Sequence, residues 1–257
     1  MTREGLKEFV SILLPRLLVA VMGLAFIGWS AIAILRDLRV DPYARAAARI
    51  EGGERFADAT LVRLAQGADK DLLDGSCDNR TLRTAVTLDL VALDAVITSN
   101  DLSLLDQRRA AAARATVAAV RCNPMDGNLW LRAAMVEASA NGRSERLIGM
   151  VRASYWTAPN EAWVIKNRLA FVGRLIGAGI DELRPDFAID VRKLLTRGHI
   201  DDAAAAYAAA SPAVLPLYDA ALGAMNVGQV GGQRRSRLVE AIEAARGPAG
   251  APAPKPF

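Results

Sequence analysis

Few side chains in this sequence are equipped for chemistry. One histidine, His199, and two cysteines, Cys77 and Cys122, are all that 257 residues contain of those types. A single His excludes a two-histidine metal site, and two Cys exclude a four-cysteine zinc. His199 stands in a turn before Asp201-Asp202 and reads as solvated or helix-capping. Gly228-x-x-Gly231-Gly232, followed by Gln233-Arg234-Arg235, has the glycine content of an anion cradle. It lacks the Lys-Ser/Thr pair and the preceding strand of a phosphate loop, so it reads as a hinge. No HExxH, CxxC, GxSxG or P-loop pattern occurs. The chain reads as a non-enzyme, with no catalytic residue, metal or cofactor.

Net charge removes another class. Residues 1–36 hold four basic residues (Arg3, Lys7, Arg16, Arg36) and two acidic ones (Glu4, Glu8), so the rest has 28 basic and 26 acidic residues. A +2 balance is no footprint for nucleic acid. The tightest basic cluster, Arg234-Arg235-Arg237, fits a solvated helix face.

The strongest signal is apolar. Between Arg16 and Arg36 lie nineteen uncharged residues, Leu17 to Leu35. As a helix they cover about 28 Å, close to the roughly 30 Å hydrocarbon core of a bilayer. Trp29 lies toward one end, and the two bracketing arginines can snorkel outward. A buried core helix and a cleaved signal peptide are the alternatives. The run is long for the first. For the second, the small-x-small site Ala31-Ile32-Ala33 still lies inside the apolar run. The favoured reading is one uncleaved span over 17–35, with Pro15 breaking off a short interfacial helix at 9–14. Basic residues flank the span almost equally, so they do not orient it. A short leading segment (1–16) before a large domain suggests a cytoplasmic N-terminus and a periplasmic C-terminal domain. In that compartment Cys77 and Cys122 can pair, closing a loop of about 45 residues. Two unrelated, partly buried thiols are the other reading.

Residues 37–246 show helical and not alternating periodicity, so the domain reads as all-α. Gly52-Gly53 is a possible break in a helix over 39–67 that has a stripe at Ala57, Leu61, Leu64 and Ala65. A helix over 81–98, capped by Asn79 or Thr81, presents Leu82, Ala85, Val86, Leu90 and Leu93. The turn Ser99-Asn100-Asp101 leads to a helix over 102–121 with small residues Ala110, Ala113, Ala115, Ala118 and Ala119, stopped by Asn123-Pro124. Two helices follow, over 127–139 and 144–156, ended by Ala158-Pro159-Asn160. Helices over 213–225 and 234–245 come last. The tail 247–257 is rich in Pro, Ala and Gly and reads as disordered.

Trp130 and Trp163 are 33 residues apart, and Pro124 and Pro159 are 35 apart. Two helices per unit, an early Trp, a Gly turn and a closing Pro mark a repeat. Trp130, Ala134, Gly142 and Pro159 make residues 123–160 resemble a tetratricopeptide repeat, and 160–196 a degenerate second one. Ala133 and Glu137 stand where that family has a Leu and a Tyr. A non-repeat antiparallel bundle is the competing arrangement. The resemblance implies a helical-hairpin solenoid whose first helices line a partner-binding groove, here carrying Trp130, Arg132, Trp163, Lys166, Asn167 and Arg168. It also implies a membrane-anchored interaction scaffold, with other envelope or membrane proteins as partners, at a bacterial inner membrane in envelope assembly, secretion or polysaccharide export. The alternative is a small accessory subunit of a larger membrane complex, held through the span itself, with Gly23 and Gly28 facing partner helices.

Overall fold

A computed structural model describes residues 3–72, 75, 77–97, 101–226 and 229–246. The turn residues 99 and 100, Gly228 and the tail 247–257 lie outside them. Every element among the described residues is helical, and the chain divides into two compact units, Met1–Ala95 and Val96–Phe257.

The first unit is organised by α1, Arg3–Glu51, a single helix of 49 residues. At 1.5 Å per residue it is about 73 Å long, more than twice the thickness of a hydrocarbon core. The expected break at Pro15 is absent, because the backbone is helical on both sides of it. Proline removes one i→i−4 hydrogen bond, a loss that apolar membrane-type helices commonly accommodate. The apolar part of α1 has no buried side chain, and it is the one stretch among the described residues long and apolar enough to cross a membrane.

Burial begins abruptly at Val40. Val40, Tyr43, Ala44, Ala47 and Ile50 form an inward stripe that packs on α2 (Asp58–Leu72) and α3 (Asn79–Ile97). Gly52-Gly53 ends α1, with Gly53 at φ +87°. The buried face of α2 is Ala65, Ala68 and Leu72; Ala57 is exposed and precedes the helix. Asp78, and neither Asn79 nor Thr81, caps α3. Its carboxylate accepts from the Thr81 amide at 2.8 Å and the Thr81 hydroxyl at 2.5 Å. Burial pushes this carboxyl up, but Thr81, Arg36 and Arg80 outweigh that and hold it below the usual carboxylate range. Much of α3 is buried, including Leu88 and Ala92, while Leu90 is only partly so and Asp94 and Ile97 are exposed.

The second unit runs from α4 (Leu102–Cys122) through α5 (Gly127–Asn141), α6 (Glu145–Thr157), α7 (Ala162–Gly177), α8 (Arg184–Arg197), α9 (Ile200–Ala208) and α10 (Leu215–Gly223) to α11 (Gln229–Arg246). Side-chain caps start three of these helices. Asp101 accepts from the Leu104 amide, Asp126 from Asn128 and Leu129, and Ser144 from Leu147. On α4 the buried face is Ala111, Ala112, Ala115 and Ala119. Ala110 and Ala113 are exposed, because an alanine-rich helix gives the hydrophobic pattern little contrast with which to fix its phase. The chain expected to loop through Gly231-Gly232 is already helical from Gln229. Both cysteines are disulfide-bonded.

α5 lies against α4, α6 and α7; α7 lies against α5, α8 and α9; α8 also meets α10, and α9 meets α11. The α5–α6 hairpin is closed by two devices. Gly142 caps α5 at φ +61° and ψ −134°, a conformation closed to residues with a Cβ. Glu137, standing where the repeat family has a Tyr, is almost buried. It accepts from Asn141 and from the cap residue Ser144, each at 3.0 Å. At the other end of the hairpin, Gly127 lets α5 touch the end of α6. A Cβ there would lie 2.3 Å from the Ala158 Cβ and 2.9 Å from the Ala158 nitrogen.

Gly127→Ala should therefore destabilise the second unit by about 1–3 kcal/mol through overpacking. Gly149→Ala on α6, where nothing lies within 4 Å of the new Cβ, should stabilise it by about 0.5–1 kcal/mol. Urea unfolding of both variants in detergent tests this, and equal effects would refute the close-approach account.

Candidate interaction surface

Helix α7 places most of the expected partner-binding residues. Ala162, Trp163, Lys166, Asn167, Ala170 and Arg174 recur at helical spacing on its exposed side. Trp163 is 44% exposed. The Lys166 ammonium reaches Asp202 on α9 at 2.6 Å, which links neighbouring helices along this side. On α5, Trp130 is half-buried, and its indole N–H donates to the Pro124 carbonyl at 2.8 Å. This indole anchors the turn before its own helix. Arg132 is half-buried on the same helix. Trp163, Lys166 and Asn167 thus share one open face, and Trp130 is committed to local structure.

Arg168 is placed elsewhere. It is fully buried, so it offers nothing to a groove. A guanidinium taken out of water needs its donors satisfied, and they are. Nε and Nη2 form a two-pronged pair with Asp190 of α8, at 2.6 and 3.0 Å. Nη1 donates to the Ser154 carbonyl at 2.8 Å, the Ser154 hydroxyl at 3.3 Å and the Ala158 carbonyl at 3.2 Å. Those two carbonyls lie at the C-terminal end of α6, and the Ser154 carbonyl also accepts from the Ala158 amide at 3.1 Å. The guanidinium plane also stacks over the Tyr155 ring, 4.0 Å from its centre. One side chain of α7 therefore ties the end of α6 to the middle of α8.

The electrostatics follow from the burial. Desolvation raises the Asp190 carboxyl, and Arg168 works against that rise. Burial and the nearby Asp190 charge push the Tyr155 hydroxyl far up, so it stays neutral. Asp190 and Ser154 formed no part of the sequence-based set. A signal for Arg168 was present: it lies three residues after Ile165 and four before Val172, on the apolar stripe of α7.

The other candidates are positioned plainly. His199 is the N-cap residue of α9, exposed, with no side-chain capping bond. Arg234, from the basic cluster, donates to the Leu195 carbonyl at 2.7 Å and to the Gly198 carbonyl, closing the end of α8. No cluster of three or more metal-ligating side chains occurs among the described residues.

With this geometry in hand, comparison with known proteins adds no name. No protein-family model, curated protein or solved structure matches the chain.

The buried pair gives a sharp expectation. Arg168→Met and Asp190→Leu should each cost about 3–5 kcal/mol, since each leaves a buried charge unpaired. The double variant should recover most of that loss. Urea unfolding in detergent reads all three, and additive losses would show that the pair is not the unit that matters.

Proposed function

We propose that this protein is a non-enzymatic, membrane-anchored scaffold, built as tetratricopeptide-like helical hairpins, that binds other envelope proteins through the exposed face of α7. Residues 17–35 anchor it in a bacterial inner membrane, and the bulk of the chain lies in the periplasm. The observation that carries the reading is the α7 face itself. A partly exposed tryptophan, a lysine and an asparagine stand in line there, on a helix that packs against α5, α8 and α9. Aromatic and amide side chains are effective at protein interfaces, and a tryptophan left open to water on a packed helix is available to be covered. Anchoring raises the local concentration of this face toward partners in the same membrane. The disulfide is compatible with an oxidising compartment.

The tests separate compartment from contact. Alkaline phosphatase fused after residue 246 should be active, and an inactive fusion with intact insertion would reverse the topology. A photo-crosslinking amino acid at Trp163 or Asn167 should yield discrete protein adducts in cells. The same group at the exposed Glu145 of α6 should not. Adducts that persist when residues 17–35 are replaced by an unrelated span support the scaffold. Adducts that vanish with the native span would favour the accessory-subunit reading, in which the span makes the main contact.

A further inference from the structure

The passage of α1 from span to packed unit fixes the height of that unit. Arg39 lies about 6 Å along the helix beyond Leu35, Tyr43 about 12 Å and Glu51 about 24 Å. The polar layer outside each face of the hydrocarbon core is only about 5–7 Å deep. Contacts within the unit give the direction of the other helices. Asp71, near the end of α2, accepts from the Tyr43 hydroxyl at 2.6 Å. Arg80, at the start of α3, pairs with Asp41 at 3.0 Å, while Thr87, one helical stretch later, donates to Glu51 at 3.1 Å. So α2 descends toward the span and α3 climbs away from it. The end of α2 and the start of α3 meet α1 just beyond its apolar segment.

The charges at this end are unevenly engaged. Asp41 is held by Arg45 and Arg80. Asp71 takes the Tyr43 hydroxyl, Asp78 is committed to Thr81 and faces Arg36, and Asp69 is also engaged. Among the described residues, Arg39 and Lys70 are exposed cations with no carboxylate partner, and Asp37 is the one exposed carboxylate left beside them.

We propose that the span-facing end of the first unit sits in the lipid headgroup layer, with Arg39 and Lys70 bound to phospholipid phosphates. This rests on the reading of residues 17–35 as a membrane anchor. Lys70, near the end of α2, carries its ammonium on a flexible four-carbon stem, and Arg39 leaves α1 at headgroup depth. Two contacts on different helices would hold the unit upright on the bilayer and fix its rotation about α1.

The test uses the full chain, with its disulfide intact, in phosphatidylcholine–phosphatidylglycerol vesicles doped with a nickel-chelating lipid. Nitroxide labels are placed on Gln66→Cys in the lower half of α2 and, separately, on Asp58→Cys at its high end. Nickel at the headgroups should relax the Gln66 label more strongly, on the order of tenfold, across the roughly 12 Å that eight helical residues put between the two. Combining Arg39→Glu with Lys70→Glu should cut the Gln66 effect severalfold. Equal relaxation at both sites, with the protein still floating with the vesicles, overturns the seating and leaves the anchor standing. A gradient that ignores the charge reversal overturns the phosphate contacts. Loss of flotation in the parent chain overturns the anchor, and the seating with it.

Discussion

An arginine with no water around it constrains everything it touches. Arg168 has five N–H donors on a rigid fork and no exposed surface. Its partners come from α6, from the turn after α6, and from α8. None of those partners is close to Arg168 in sequence, so the pair forms only when three helices have docked in one arrangement. A hydrophobic substitute would pack in that place without demanding a particular register. The guanidinium demands one, because a slipped α8 would leave both its own charge and that of Asp190 unpaired in an apolar setting. Tyr155, stacked on the guanidinium, fills the remaining side and keeps water out.

The first unit is ruled by a different constraint, the joining of two unlike stretches in one helix. Along its apolar stretch α1 buries nothing, and from Val40 onward it lines a core. The change takes place within five residues of Leu35. Such continuity transmits orientation: wherever the apolar stretch points, the core stripe of α1 points with it. Asp41 sits at the junction and collects Arg45 and Arg80, and the Arg80 pair joins the start of α3 to α1. Exposed ion pairs of this kind add little stability. Their value here is in where they hold the helices.

Much of this was readable from residue patterns, and the failures have physical causes. The apolar run, the all-helical domain, the break at Gly52-Gly53 and the hairpin from Gly127 to Thr157 rest on strong local signals: charge-free length, glycine at positive φ, and Asp or Ser at helix starts. Pro15 misleads because the rule that proline breaks helices is weighed for water, where an unpaired carbonyl can be solvated outside the helix. The phase of α4 is hidden because alanine is acceptable on either face. The cap of α3 falls one residue before Asn79 and three before Thr81, since Asp78, Asn79 and Thr81 are all capping types and only the geometry chooses among them. The 33-residue spacing of Trp130 and Trp163 is equally instructive, because equal spacing does not bring equal roles. One indole is tied to its own turn at Pro124, and the other faces solvent.

Arg168 shows most clearly where local reading stops. Lys166-Asn167-Arg168 is a polar triplet, and composition treats its members alike. A helix does not, because each residue turns about 100° from the last. Lys166 and Asn167 fall on the open side of α7, and Arg168 comes round to the stripe of Ile165, Leu169 and Val172. The same helix thus carries the core tie inward and the exposed aromatic and polar groups outward. Its outward face is held in place by the neighbours that Arg168 fastens, so α7 presents Trp163, Lys166 and Asn167 on a support that does not need a partner to become ordered. A surface organised in that way loses little conformational entropy when it is covered.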